Sequence, residues 1–150
     1  MPDLPELPIT WRPLGARLAG WIFGLALLAV CAAAWLTFDD EVKDAFSWSQ
    51  RITMIALGVC VWSAFYALMR CRVQVTEDGL TVVNGYRTRV LDWAQVVSVH
   101  LPAGAPWATL DLSDGTTVSA MGIQGSDGAR ALRVVRDLRA LLEAHQPRDG

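Results

Sequence analysis

The chain has 150 residues, of which 53% are hydrophobic and 19% charged, and its formal net charge is −2. This length allows one domain, or a membrane segment with one small domain. Because Lys and Arg are not in excess over Asp and Glu, the composition argues against a protein that neutralises a nucleic-acid backbone.

Residues 1–13 are rich in proline, and we predict an N-terminal tail there. Pro2, Pro5 and Pro8 recur every three residues, which is the period of a polyproline II helix. Such a segment can bind an aromatic groove, although a disordered terminus is the commoner case.

Two uncharged runs, residues 18–38 and 52–69, follow the tail. As helices they span roughly 31 and 27 Å, close to the ~30 Å of a hydrocarbon core. They lack the polar stripe of a soluble core helix and the alternation of a strand. We therefore predict a transmembrane hairpin over residues 14–69, with helices at about 16–38 and 52–69.

A cleaved signal peptide is the alternative interpretation of the first run. Arg12 and Arg17 precede it, residues 32–34 are alanines that imitate a cleavage site, and residues 28–31 resemble a lipid-attachment box. The run is longer than the ~7–15 apolar residues typical of a signal peptide, which favours a membrane span.

The distribution of charge predicts the orientation of the hairpin. Residues 39–44, between the runs, have a net charge of −3, whereas basic residues flank the other ends of the runs: Arg12, Arg17, Arg70 and Arg72. Because Lys and Arg favour the cytoplasmic side, we expect a multi-pass plasma-membrane protein with both termini in the cytoplasm. Arg51 is the exception to this pattern.

Small residues in both runs are candidates for helix packing. They recur at a spacing of four: Gly20 and Gly24 in the first run, and Ala56, Cys60 and Ala64 in the second. Small faces allow close backbone approach in lipid. They fit packing within the hairpin or against a second copy, so a homo-oligomer remains open.

From Cys71 onward the hydrophobic period changes to two, which predicts strands. Asn84-Gly85 marks a hairpin turn. A three-residue loop there places Leu80 and Val82 opposite Val90 and Thr88, whereas a two-residue turn places them opposite Arg89 and Arg87. We prefer the first register because it pairs like with like.

Two further local signals follow this hairpin. Asp92 and Gln95 have the spacing of a capping box, which predicts one helical turn before the next strand. A later hairpin around Asp114-Gly115 brings Val118 opposite Leu110 only with a three-residue loop.

The last element has one apolar helical face, formed by Leu132, Val135, Leu138 and Leu142. We expect this helix to cover the sheet and to end at residues 146–147, leaving a tail at 146–150. The predicted fold is a membrane α-helical hairpin plus a small α+β domain over residues 70–145. That domain is an antiparallel β-sandwich or partly open barrel of about six strands, capped by a C-terminal helix.

The order of elements is similar to that of pleckstrin-homology (PH) domains. The segments at residues 75–80, 84–85, 87–89, 91–93 and 104–107 resemble bacterial PH-domain proteins of actinobacteria, the two-helix membrane proteins of the low molecular weight protein antigen 6 family. The resemblance covers residues 70–145, and the preceding hairpin matches the family's layout. It implies a PH-like sandwich capped by a helix.

The sequence contains no catalytic constellation, so we do not expect an enzyme, a metal or a cofactor. His100 and His145 are the only histidines, and neither has a nearby Cys or paired carboxylates in sequence. The three cysteines lie in or beside the apolar runs and indicate packing residues rather than a disulfide framework.

The expected function is a membrane-tethered PH-like interaction module at the cytoplasmic face. It would bind a membrane or cytoplasmic protein, or act as an accessory subunit of a membrane complex. The alternative is recognition of anionic lipid through Arg72, Arg87 and Arg89. Arg70 belongs to the same set of contact candidates for lipid or partner.

Overall fold

The computed structural model describes residues 4–145, and these form two units. One unit is the helical segment Ala16–Met69. The other contains the described residues up to Gly15 and from Arg70 onward. We describe each unit by itself.

The helical unit contains α1 (Leu14–Thr37), α2 (Asp40–Ala45) and α3 (Trp48–Arg70), of which the first two residues of α1 and the last of α3 belong to the globular unit. By length and composition, α1 and α3 can each cross a membrane. Both begin earlier in the sequence than the expected positions 16 and 52. Helix α3 begins four residues earlier because Ser47 and Gln50 form a capping box: the Ser47 N–H donates to Gln50 Oε1 at 2.9 Å, and the Gln50 N–H donates to Ser47 Oγ at 3.3 Å.

Arg51, the exception to the charge pattern, lies in the first turn of α3, and its side chain contacts the segment that connects the two long helices. Its guanidinium donates to the carbonyls of Lys43 at 2.6 Å and Phe46 at 3.2 Å. It also lies 5.7 Å from the ring centroid of Trp35 and 5.5 Å from that of Trp48. Loop carbonyls and aromatic faces therefore compensate the charge at this position.

The globular unit contains seven strands in its described part. They are β1 (Ile9–Trp11), β2 (Arg72–Thr76), β3 (Gly79–Asn84), β4 (Arg87–Asp92), β5 (Val96–His100), β6 (Trp107–Leu112) and β7 (Thr117–Gln124). One antiparallel sheet has the order β1-β2-β3-β4 and the other the order β5-β6-β7. The C-terminal helix α4 (Ala129–His145) packs on β5 and β7, so the unit is a PH-like sandwich capped by a helix.

Strand β1 corrects the prediction of a tail over residues 1–13. Ile9 pairs with Val75 and Trp11 with Val73, and the Trp11 side chain is only 7% exposed in the core. The prolines led to the prediction of a tail, but Ile-Thr-Trp has high strand propensity. It pairs with the edge of β2, whose backbone groups would otherwise lack a partner strand. Pro2 lies outside the described residues. The helical unit is therefore inserted in the chain between two paired strands of one sheet.

The β3–β4 register differs from both alternatives considered above. Leu80 faces Leu91 and Val82 faces Arg89, because the turn residues are Gly85 and Tyr86. Gly85 has φ 60°, the conformation that glycine adopts at least cost. Asn84 stays in the strand, since its side chain bonds to β7. The shift buries Leu91 and leaves Val90 73% exposed.

The other local predictions in the sheet region are confirmed. Val118 faces Leu110 across the three-residue loop of the β6–β7 hairpin. A 3₁₀ turn spans Trp93–Gln95, and the Asp92 N–H donates to Gln95 Oε1 at 2.9 Å as in a capping box.

The core lies between the two sheets and under α4. Valine and leucine side chains of β2, β3, β5 and β6 fill it, together with one face of α4: Ala131, Val134, Val135, Leu138, Leu141 and Leu142. Leu132 was expected on that face but is 53% exposed. The buried face of α4 is centred between Val134 and Leu138. At 3.6 residues per turn, position 132 therefore lies at the border of this face. The predicted helix end at residues 146–147 lies outside the described residues.

Candidate functional site

The chain enters the helical unit after Gly15 and leaves it before Arg70. Near both places, residues of the sandwich contact the flanking chain. At the C-terminal end of α3, the Gly85 N–H donates to Cys71 Sγ at 3.3 Å, and the Arg70 guanidinium lies 5.9 Å from the Tyr86 ring centroid. The tip of the β3–β4 hairpin therefore contacts the residues that directly follow the second apolar run.

At the N-terminal end of α1, a single carboxylate caps the helix. Asp127 accepts hydrogen bonds from the N–H groups of Leu14 and Gly15, each at 3.1 Å. These are two of the backbone donors that a helix leaves unpaired in its first turn. A carboxylate there also compensates the positive end of the helix dipole.

An open groove of about 500 Å³ lies between the β3–β4 and β6–β7 hairpins. Its polar lining is Asn84, Arg87, Arg89, Asp114, Thr116, Thr117 and Ser119. Two guanidinium groups and the hydroxyls of these residues supply donors for an anionic or polar ligand. Arg87, Arg89 and both threonines are exposed, so the groove is accessible from solvent.

The side chain of Asn84 fixes one wall of this groove. Its amide donates to the Ser119 carbonyl at 2.5 Å and accepts from the Met121 N–H at 3.0 Å. It thus satisfies backbone groups on the edge of β7 that does not pair with β6. Close by, Gly122 allows β7 to cross β2, because a side chain there would lie 2.6 Å from the Arg72 carbonyl carbon.

Asp114 moderates the positive charge of the groove. Hydrogen bonds from the hydroxyl and the N–H of Thr116 hold the pKa of this carboxyl below its usual range, and Arg89 acts in the same direction. The Thr116 hydroxyl lies 2.7 Å and its nitrogen 2.8 Å from Asp114 Oδ1. The groove therefore presents two cations and one anion at neutral pH.

Comparison with known proteins decides the family. A family model for the bacterial PH domain matches residues 70–141. Uncharacterized proteins of Mycobacterium bovis and Mycobacterium tuberculosis are 31% identical over 137 residues, which covers 91% of this chain and 87% of each relative. This chain belongs to the bacterial PH-domain family. No solved structure gives a significant match.

PH domains are in general interaction modules without catalytic activity, and this chain carries such a module. Its relatives are actinobacterial, as the resemblance implied. The family and the fold were thus predicted correctly from residues 70–145.

The four arginines proposed from sequence do not form one cluster in this PH domain. Arg87 and Arg89 line the groove together. Arg72 instead donates from Nε to Gln74 Oε1 at 3.2 Å on β2, and Arg70 lies over Tyr86.

Among the groove residues that were not predicted from the sequence are Asn84, Asp114 and Thr116. Asn84 was interpreted only as a turn residue, and no sequence pattern indicates its bonds to β7, 35 and 37 residues away. The Asp114–Thr116 pair did have a local signal, since Asp followed two residues later by Thr is common in polar turns.

The five small residues proposed for helix packing separate into two groups. A side chain at Gly20 would lie 3.5 Å from Met69 Cγ, and one at Gly24 would lie 3.4 Å from the ring of Trp62. These glycines therefore face α3. The second group, Ala56, Cys60 and Ala64, is exposed on the helical unit.

His100 has a carboxylate neighbour that its position in sequence did not reveal. On the surface of the second sheet, its Nδ1 lies 3.3 Å from Asp111 Oδ2, the same oxygen that accepts a hydrogen bond from the Ser98 hydroxyl. The carboxylate lies between the other two groups, so Ser98 is not paired with the imidazole as a nucleophile would be. Within residues 4–145, no three His, Cys, Asp or Glu side chains come together as a metal site would require.

Proposed function

We propose that this protein is a membrane-tethered interaction module whose PH domain binds a protein partner at the cytoplasmic face. The observation that carries the proposal is the pairing of β1 with β2 around the inserted helical unit. Two membrane crossings return the chain to the side from which it started, so both paired strands share one compartment. The basic residues that flank the apolar runs favour the cytoplasm.

The same pairing supports retention of the first helix as a membrane span. Cleavage after the first run would separate β1 from the sandwich and remove Trp11 from its core. Truncating a buried Trp typically costs about 3–5 kcal/mol. A membrane anchor is therefore favoured over a cleaved signal peptide.

The groove beside Arg87 and Arg89 is the surface we propose for the partner. Co-purification in mild detergent should recover a specific membrane or cytoplasmic protein with the unaltered chain. The double variant Arg87→Gln/Arg89→Gln should lose it, because two exposed cationic donors are removed. The matched control Arg133→Gln/Arg136→Gln changes two exposed arginines of α4 and should retain it. Repeated recovery of the chain alone would contradict the proposal.

Recognition of anionic lipid is the second candidate, and one observation favours it. The hairpin tip that carries Tyr86 and Arg87 contacts Arg70 and Cys71, which directly follow the second apolar run. A basic residue near an anionic bilayer surface contributes about 1 kcal/mol of attraction.

This candidate predicts lipid-dependent protection of two arginines. In nanodiscs that contain phosphatidylglycerol, an arginine-specific reagent should modify Arg87 and Arg89 more slowly than in nanodiscs of phosphatidylcholine alone, as read by peptide mass spectrometry. Arg133 serves as the internal control, and its rate should be equal in both. Equal rates at Arg87 and Arg89 in the two lipids would rule this candidate out.

The role of accessory subunit remains a third proposal. The exposed small residues of α3, Ala56, Cys60 and Ala64, are suited to a helix of a larger membrane complex or of a second copy.

A further inference from the structure

A mostly apolar groove of the described globular unit lies at the end of the second sheet. It has a volume of about 580 Å³, and its floor and rim are the β5–β6 connection, residues 101–106, together with Leu132 of α4. We call residues 101–106 and Leu132 the loop surface. No charged side chain lines it. Apart from the Ser126 hydroxyl, the side chains that line it are apolar.

One short stretch of chain joins the loop surface to the start of α1. The Gly125 N–H donates to the Pro106 carbonyl at 2.9 Å, and Ser126 lines the groove. The next residue, Asp127, holds the first turn of α1 through Leu14 and Gly15. Residues 125–127 therefore contact the loop surface on one side and the helix N-terminus on the other.

The first uncharged run begins at residue 18, three residues after Gly15. At 1.5 Å per helical residue, the N-terminus held by Asp127 is only about 5 Å from that run. The polar interfacial layer on each side of a bilayer is itself roughly 5–8 Å thick. Hence residues 125–127 alone separate the loop surface from the first turn of α1, whose uncharged run begins three residues later.

We propose that the loop surface rests in the interfacial layer of the bilayer that α1 spans. The inference rests on the proposed membrane tether and specifies which part of the PH domain contacts the membrane. A bilayer fits this surface better than a peptide or a second copy. The groove offers no charged group to orient a specific partner. The neighbouring Asp127 accepts hydrogen bonds from Leu14 and Gly15 and so joins this part of the domain to the start of α1. The exposed Arg12, two residues before α1, supplies the cation that interfacial anchors commonly carry.

Depth-dependent quenching of a polarity-sensitive fluorophore tests this proposal on the full chain. The protein carries Cys31→Ala and Cys60→Ala, while Cys71 stays in place because it is 1% exposed. The probe is attached at Ala103→Cys in the loop surface, or at Asp78→Cys in the β2–β3 turn at the far end of β2. Nanodiscs of phosphatidylcholine and phosphatidylglycerol contain a lipid with a nitroxide near its head group.

The probe at position 103 should lose most of its emission to the lipid-bound nitroxide and emit at shorter wavelength, whereas the probe at position 78 should respond only to an aqueous quencher. Equal aqueous quenching at both positions would overturn the proposal. Shielding of position 103 from both quenchers would also overturn it, since a protein would then cover the groove. A third probe, at the native Cys31, tests the tether itself. If a deep nitroxide does not quench it, the membrane span fails together with the inference.

Discussion

At the scale of single residues, Asn84 holds one wall of the groove in place. Its amide joins β3 to two backbone groups of β7, and this bond keeps Asn84 in the strand and moves the turn to Gly85-Tyr86. Without it, the Ser119 carbonyl and the Met121 N–H lose their partners. We therefore expect Asn84→Ala to destabilise the globular unit by about 1–3 kcal/mol.

Hydrogen exchange of the β7 peptide measures this effect. Exchange should accelerate around Met121 in Asn84→Ala and remain unchanged in the control Thr117→Ala, which alters an exposed groove residue of the same strand. Unaltered exchange in both variants would show that the amide does not hold β7 in place.

At the scale of elements, one set of small residues in the helical unit lies at the contact between α1 and α3, and the other set is exposed on α3. A Cβ at Gly24 would already touch the Trp62 ring at 3.4 Å, so a side chain longer than that of alanine would crowd the ring, whereas Cys60 is exposed. Gly24→Ile should overpack the contact between α1 and α3 and cost about 1–3 kcal/mol. Cys60→Ile should leave that contact intact and lower only the association of α3 with another chain.

Titration of mixed micelles with a denaturing detergent, followed by tryptophan fluorescence, distinguishes the two variants. Gly24→Ile should lower the midpoint, and Cys60→Ile should not. Size measurement in mild detergent then reports association. A normal midpoint for Gly24→Ile would mean that these glycines do not support the hairpin.

At the scale of the whole molecule, the PH domain is discontinuous in sequence. Of the strands in residues 4–145, β1 precedes the helical unit and β2 to β7 follow it. Because β1 pairs with β2 in one sheet, the two flanks of the helical unit lie in the same compartment. We predict that, in intact cells, a membrane-impermeant thiol reagent labels a cysteine at Asp44, in the loop between α1 and α3, and does not label one at Asp78.

The background for this experiment replaces Cys31 and Cys60 by alanine, and permeabilised cells provide the control in which both positions react. Labelling at Asp78 alone would invert the orientation and place the PH domain outside the cytoplasm. Labelling of both in intact cells would contradict two crossings.

Local pattern alone determined most of the element types of this protein, with strand β1 as an exception. The two apolar runs, the β6–β7 register, the capping box at Asp92 and the C-terminal helix could all be predicted, because each depends on residues close together in sequence. The tertiary structure decided the rest. The pairing of Ile9 with Val75, the bond from Asn84 to β7 and the cap from Asp127 to α1 join residues 35 to 113 positions apart. No periodicity encodes such contacts; they form only when packing of the core brings the two partners together.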